Sequence, residues 1–170
     1  MRDGRRYTYY IVLSIIFAAV YLLQSGIGLL PRIFAVSPLP LLPLVTVIAM
    51  FESKAAAFAY GLFAGLLMDI LSRRFFCFNT VFFVVVAVAV ALLIELLFNN
   101  APLTAAVLGG AVCAAYYFIY WLAFLLPSTG DAAAFLVRFS LVGAVYSWLF
   151  TWPFYFLLRW MSQREHRRAI

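Results

Sequence analysis

Apolar residues follow one another in long runs along this chain, and short polar, proline- or glycine-containing connections separate the runs. A helix needs about 20 apolar residues to cross a hydrocarbon core of about 30 Å. Measured against that length, the pattern predicts an all-α bundle of six membrane-spanning helices. The predicted ranges are 8–30, 36–51, 55–71, 76–98, 102–126 and 136–158. Because the connections are short, neighbouring helices should be antiparallel.

The second predicted helix is the weakest span. Its uninterrupted apolar stretch, PLPLLPLVTVIAMF, has 14 residues, which corresponds to about 21 Å of helix. Two alternatives remain open: the helix begins earlier, near Phe34, or its prolines interrupt it. These prolines are Pro38, Pro40 and Pro43.

Two further helix boundaries carry specific expectations. Asn100 precedes Pro102, so we expect Asn100 to be an N-cap and Pro102 to lie in the first helical turn. Pro153 lies within the predicted sixth helix and should kink it. Thr151 is then placed to donate a hydrogen bond to a carbonyl that the proline leaves free.

The composition favours an integral membrane protein with a single domain, residues 1–170. The chain is 68% hydrophobic and 11% charged, whereas soluble domains are about one-half apolar and one-quarter charged. Twelve basic residues oppose six acidic ones, and the excess is concentrated in the terminal segments MRDGRR and RWMSQREHRR. This distribution suits anionic lipid headgroups better than nucleic acid, which a basic face on a soluble fold would bind.

The basic residues also predict an orientation. Six spans place both termini on one side, and the positive-inside rule assigns that side to the cytoplasm. The basic residues predicted inside are Arg2, Arg5, Arg6, Lys54, Arg159, Arg164, Arg167 and Arg168, and those predicted outside are Arg32, Arg73, Arg74 and Arg138. The adjacent Arg73 and Arg74 oppose this assignment locally, but the basic termini outweigh them.

The candidate catalytic groups do not assemble into a known type of site. We therefore expect that the protein is not an enzyme and that it binds neither a cofactor nor a metal. His166 lies in the C-terminal tail, away from any serine within a span. Asp69 and Glu95 lie within predicted helices but at opposite ends of the membrane, which excludes a pair of carboxylates sharing a proton. Cys77 and Cys113 have no neighbouring Cys or His and are interpreted as packing residues.

A stripe of small and charged residues marks the third predicted helix. Gly61, Gly65 and Asp69 are four residues apart, and Arg73 continues the line if the helix extends by one turn. The glycines indicate close helix packing, against the same chain or another. For Asp69 two interpretations carry equal weight: a local ion pair with Arg73 or surface hydrogen bond, or a contact that fixes the outer helix end against a neighbour.

The order of these elements resembles the rod shape-determining protein MreD family. The resemblance rests on a basic start, an apolar helix, the proline-led second helix SPLPLLPLV and then AYGLFAGLLMDILS. The third helix of that family carries Gly-x-x-x-Gly-Leu-x-x-Asp, which Gly61, Gly65, Leu66 and Asp69 match. The family usually continues with a glycine-containing turn, whereas this chain has SRRFFCFN.

The resemblance implies a non-enzymatic scaffold of the bacterial cell-elongation machinery in the cytoplasmic membrane. The implied partners are MreC, a RodA-type glycosyltransferase, its penicillin-binding transpeptidase and, indirectly, the MreB filament. Together they would support lateral peptidoglycan synthesis and rod shape.

The resemblance also implies a fold similar to the substrate-binding component of energy-coupling-factor vitamin transporters. A small-molecule carrier is therefore the alternative function, with a pocket lined by the aromatic residues of AAYYFIYW and YSWLFTWPFYF. Such a pocket needs convergent polar groups. The available ones are scattered along the sequence: Gln24, Ser25, Asn79, Thr80 and Ser147.

Overall fold

The computed structural model describes residues 2–25, 38–72, 77–96, 100–125 and 140–167, and most of these residues are helical and none lies in a strand. The all-helical class predicted from the sequence is confirmed. The helices are α1 (Arg2–Ser25), α2 (Leu41–Phe51), α3 (Lys54–Ser72), α4 (Phe78–Leu96), α5 (Pro102–Tyr120), α6 (Val142–Leu149) and α7 (Thr151–Arg167). A π-helical turn, Trp121–Leu125, continues α5.

Helix α2 is the centre of the bundle. Each residue from Leu41 to Met50 is buried, and α2 packs against all six of the other helices described. A helix that is apolar on every side is stable only when neighbours surround it. The shortest predicted span is therefore the core element of the fold.

The prolines begin α2 and do not interrupt it. The predicted start at residue 36 is wrong, because Pro38 and Leu39 are not helical and Pro40 is the N-cap. Pro43 occupies the third helical position, where a backbone N–H has no intrahelical acceptor and its absence costs little. With 11 residues, α2 is about 16 Å long.

The two ends of the bundle carry different contacts, and we name them after Lys54 and Asp69. At the Lys54 end, Lys54 Nζ lies 2.5 Å from Glu95 Oε2, and the Tyr10 hydroxyl donates to Glu52 Oε2 at 3.2 Å. The side chains of Lys54 and Glu95 are 54% and 56% exposed, so their ion pair contributes little to stability. Asp69 lies at the other end of α3, and α3 and α4 are antiparallel, as predicted.

Asn100 is not the N-cap of α5. Ala101 occupies that position without a side-chain hydrogen bond, and Pro102 is the first helical residue as expected. The Asn100 side chain instead donates from Nδ2 to the Met50 carbonyl at 3.1 Å, and the Asn100 backbone carbonyl accepts from the Tyr155 hydroxyl at 3.1 Å. The C-terminal end of α2 is thus hydrogen-bonded by a residue distant in sequence.

The predicted single helix 136–158 is two helices over its described part. The helical structure is interrupted at Phe150, between α6 and α7, and Pro153 lies in the first turn of α7. The predicted hydrogen bond of Thr151 is wrong, since its buried Oγ1 has no hydrogen-bond partner among the described residues. Thr151 instead packs closely against Gly109 on α5. Helix α7 also continues to Arg167, beyond the predicted end at 158.

Two described helices are long and apolar enough to cross a membrane, Phe78–Leu96 and Pro102–Ala123. Tyr9–Ser25 and Leu41–Phe51 are apolar but shorter. The number of six spans therefore stays a prediction.

Candidate functional site

The carboxylate of Asp69 caps the N-terminus of a neighbouring helix. Its Oδ1 accepts from the backbone nitrogen and Nδ2 of Asn79, at 3.1 and 2.9 Å. Its Oδ2 accepts from the backbone nitrogen and Oγ1 of Thr80, at 2.9 and 2.6 Å. Asn79 and Thr80 are the second and third residues of α4, whose N–H groups have no intrahelical acceptor. Asp69 on α3 therefore accepts hydrogen bonds from the first N–H groups of α4, as an N-cap residue does within its own helix. Its negative charge is also favourable at the positive, N-terminal end of the α4 dipole.

Two glycines bring α3 close enough to α4 for this cap to form. A β-carbon on Gly65 would overlap the Thr80 Cα and lie 2.8 Å from the Thr80 nitrogen. A β-carbon on Gly61 would lie 2.9 Å from both the Ala87 Cβ and the Phe83 carbonyl oxygen. The glycine stripe therefore packs against a helix of the same chain, with backbone against backbone.

In the structure the Asp69 carboxylate accepts hydrogen bonds from the neighbouring helix α4. Arg73, the ion-pair partner in the first of the two interpretations given above, lies outside the described residues. Gly61, Gly65 and Asp69 form one continuous surface of α3 that contacts α4.

The cap is connected to α5 through a buried tyrosine. The Tyr116 hydroxyl donates to Asn79 Oδ1 at 2.8 Å, while the Asn79 amide donates to Asp69. The Tyr116 ring packs edge-on against Phe82, with 5.1 Å between centroids. These aromatic residues of α4 and α5 are packed against one another in the core.

The start of α2 is also held by side chains from other helices. The Leu39 nitrogen donates to Ser147 Oγ at 3.0 Å, and the Leu41 nitrogen donates to Gln24 Oε1 at 3.2 Å. Ser147 Oγ lies 3.2 Å from the Tyr117 hydroxyl. The first N–H groups of a helix have no intrahelical acceptor, so these side chains satisfy groups at the start of α2 that would otherwise be buried without a partner.

These contacts define a polar layer at the Asp69 end, consisting of Gln24, Asp69, Asn79, Thr80, Tyr116, Tyr117 and Ser147. These hydrogen bonds satisfy helix ends or join the members to one another, and Gln24 Nε2 also donates to Met68 Sδ at 2.8 Å. The described residues contain no group of three His, Cys, Asp or Glu side chains that could hold a metal ion. The geometry of the layer serves to fix helix ends.

Polar residues from three separate parts of the sequence contribute to this layer: Gln24, the adjacent Asn79 and Thr80, and Ser147. Sequence reasoning treated them as scattered and missed their convergence. One signal was present, because Asp69 falls near the predicted end of the third helix, while Asn79 and Thr80 follow the predicted start of the fourth. Antiparallel neighbours bring such positions to the same end.

A groove of about 580 Å³ runs along the outer surface between α5 and α6. It is lined by Gly110, Ala114, Ala115, Phe118, Ser140, Leu141, Ala144, Val145 and Trp148. Trp148 forms one wall and is held by a 2.7 Å hydrogen bond from its Nε1 to the Ala106 carbonyl. The lining is almost wholly apolar, so the groove is chemically distinct from the polar layer.

Comparisons with protein-family models, curated proteins and solved structures give no match for this chain.

Replacing Ser147 by alanine is expected to destabilise the fold by about 1–3 kcal/mol, because it removes the acceptor of the Leu39 N–H at a fully buried position. The measurement is thermal unfolding in detergent, followed by tryptophan fluorescence. Ser14→Ala is the control, because Ser14 also has a tyrosine hydroxyl neighbour, Tyr60 at 3.1 Å, but is exposed. Equal effects of the two substitutions would show that the Ser147 contact does not hold α2.

Proposed function

We propose that this protein is a multi-pass integral membrane protein. The observation in favour is an outer surface that is apolar around the bundle, while polar groups lie inside. Large exposed apolar residues include Ile15 and Leu22 on α1, Phe63 and Ile70 on α3, Val81 and Val85 on α4, Leu103 and Val107 on α5, Leu149 on α6 and Phe156 on α7. A soluble monomer rarely exposes so much contiguous apolar surface.

The buried polar groups support the same proposal. Thr46, Asn79, Ser140, Ser147 and Thr151 are all buried, and side chains from α1, from α6 and from the residue Asn100 before α5 bond the two ends of α2. Hydrocarbon offers no hydrogen bonds, so irregular backbone at membrane depth has to be satisfied by protein. A short central helix with such end contacts fits a membrane interior.

Within this class, we propose a non-enzymatic scaffold of the MreD type that supports lateral wall synthesis through MreC and the associated wall synthases. The observation that carries the proposal is that the residues of the family-like motif act together in the packing of the bundle. Gly61, Gly65 and Asp69 form one contact with α4, and the proline-led α2 is the buried centre. The Asp69 carboxylate is engaged in holding helix ends, which favours a structural over a catalytic role.

The scaffold proposal is tested by deletion and co-purification. We expect cells that lack the protein to lose rod shape, and an MreC-like protein to co-purify with the tagged chain. Asp69→Ala should complement the deletion poorly, while Glu95→Ala, at the exposed Lys54 end, should restore rod shape. The amount of each variant in the membrane is measured in parallel. Rod-shaped deletion cells with no co-purifying MreC would rule the proposal out.

The groove between α5 and α6 favours a second candidate, a small-molecule carrier. Its volume of about 580 Å³ falls within the range of about 300–1,000 Å³ typical of ligand sites. The groove lacks the polar groups that would give specificity. Those of the polar layer lie elsewhere and are bonded to one another and to helix ends. Tight binding of a vitamin to the purified protein, lost on Ala144→Trp, would favour the carrier over the scaffold.

A further inference from the structure

The groove between α5 and α6 runs along the two helices. Its lining extends from Gly110 to Phe118 on α5 and from Ser140 to Trp148 on α6. Each stretch is about 12 Å long at about 1.5 Å per residue. Ser140 Oγ donates to the carbonyl of Tyr117, a member of the polar layer, at 3.3 Å. The Ser140 end of the groove therefore lies toward the Asp69 end of the bundle, and Trp148 bounds the opposite end.

The groove covers one half of a candidate membrane span. That span is Pro102–Ala123, and Gly110 lies near its middle. From this level the groove continues toward the Asp69 end for about 12 Å. Half of a hydrocarbon core of about 30 Å is about 15 Å. In a membrane the groove therefore follows the depth of one leaflet, along the direction of its acyl chains.

The lining offers contact to hydrocarbon. Among the lining residues that the structure describes, Ser140 and Trp148 are the two with a polar side-chain group. Both donors are used within the bundle, by the carbonyls of Tyr117 and Ala106 respectively. No side-chain donor of these residues is left for a phosphate, a sugar or another polar ligand. An occupant of this groove is therefore apolar.

The dimensions of the groove distinguish a thin chain from a protein partner. Nine described residues line it, whereas a specific protein interface has roughly 20–30 residues on each side. A volume of about 580 Å³ over about 12 Å gives a mean cross-section of about 50 Å². A helix with side chains is about 10–12 Å across and needs at least about 80 Å². An extended hydrocarbon chain fits where a helix does not.

We propose that the groove between α5 and α6 binds one acyl chain of a phospholipid in the leaflet at the Asp69 end. The chain enters at headgroup level beside Ser140, and its methyl end lies against Trp148. This inference rests on the membrane part of the proposed function and not on the cell-elongation role. A groove contacts a chain on more sides than a convex surface does, and about ten additional carbon contacts correspond to about five- to thirtyfold in affinity.

The test uses brominated phosphatidylcholine, because bromine quenches tryptophan fluorescence on contact. The full chain in neutral detergent micelles keeps Trp148 as its one tryptophan, and a second version keeps Trp152, which is 42% exposed on α7. We expect half-maximal quenching of Trp148 at a lipid-to-detergent ratio at least about fivefold lower than for Trp152. Bromine near the methyl end of the chain should quench Trp148 more strongly than bromine near the carbonyl. Unbrominated lipid should reverse the quenching.

Two variants fill the groove from different helices, Ala144→Leu from α6 and Ala114→Leu from α5. Each should remove the difference between Trp148 and Trp152. Ala89→Leu is the matched control, because Ala89 is exposed on α4 outside the groove, and it should keep the difference. Circular dichroism checks that each variant is folded.

The inference fails if Trp148 and Trp152 are quenched at the same ratio, if both groove variants keep the difference, or if Ala89→Leu removes it as well. Stronger quenching of Trp148 by bromine near the carbonyl would overturn the proposed direction of the chain. A protein that stays soluble without detergent would instead contradict the membrane proposal itself, so the two failures are distinguishable.

Discussion

Replacing Asp69 by alanine is expected to destabilise the protein by about 2–3 kcal/mol. The substitution removes the acceptor of four donors on Asn79 and Thr80, two of them backbone N–H groups in the first turn of α4. Asp69 is half-buried, so water can accept hydrogen bonds from some of the freed donors, which limits the loss of stability. The measurement is the free energy of unfolding in detergent, followed by tryptophan fluorescence and circular dichroism.

Two further variants show whether the cap is the cause. Asp69→Asn keeps one oxygen to accept from Asn79 but presents an amide to the Thr80 donors. Its loss of stability should therefore lie between zero and that of Asp69→Ala. Glu95→Ala removes an acid from an exposed ion pair at the other end of α4 and should cost less than about 1 kcal/mol. If Asp69→Ala costs no more than Glu95→Ala, the four hydrogen bonds do not support α4.

Replacing Gly65 by alanine is expected to destabilise the protein by about 1–3 kcal/mol, despite the higher helix propensity of alanine. The added β-carbon would overlap the Thr80 Cα and lie 2.9 Å from the Asn79 carbonyl oxygen. Both atoms belong to the backbone of α4, so relief requires the two helices to separate. The same movement would draw Asp69 away from its donors. Unfolding in detergent measures the loss, and Gly65→Leu should increase it.

Gly110→Ala is the matched control for Gly65→Ala. The chemical change is the same, but the new β-carbon would lie 3.2 Å from Trp148 Nε1, an atom of a side chain that can shift by a small amount. We expect a change in stability of less than about 1 kcal/mol. Equal losses at the two positions would mean that the destabilisation comes from the alanine itself and not from the contact between α3 and α4.

The positions of most helices could be predicted from apolar run lengths. Helices α3 and α4 end within two residues of their predicted bounds, and α5 begins at the predicted residue 102. Run length works here because these helices are bounded by clear polar or proline-containing connections. It failed for the break at Phe150, since α6 and α7 together form one nearly continuous apolar run.

The candidate site could be predicted only in part. The spacing of Gly61, Gly65 and Asp69 indicated a single helix face and close packing, and both follow from helical geometry alone. The identity of the facing helix did not follow. The contacts of Asn79 with Tyr116 and of Ser147 with Leu39 also escaped prediction, because these partners are distant in sequence and meet only when the bundle assembles.

The sequence by itself determined that the chain is helical, where most of its helices lie and which residues share the glycine and aspartate face, because these depend on local periodicity and run length. Only the tertiary structure decided that α2, the shortest predicted span, is the buried centre. Only the structure showed that Asp69 caps α4 and that side chains from α1 and α6 hold the start of α2. The physical reason is that a helix end has unsatisfied backbone groups whatever its sequence, but which side chain satisfies them depends on the helices packed beside it.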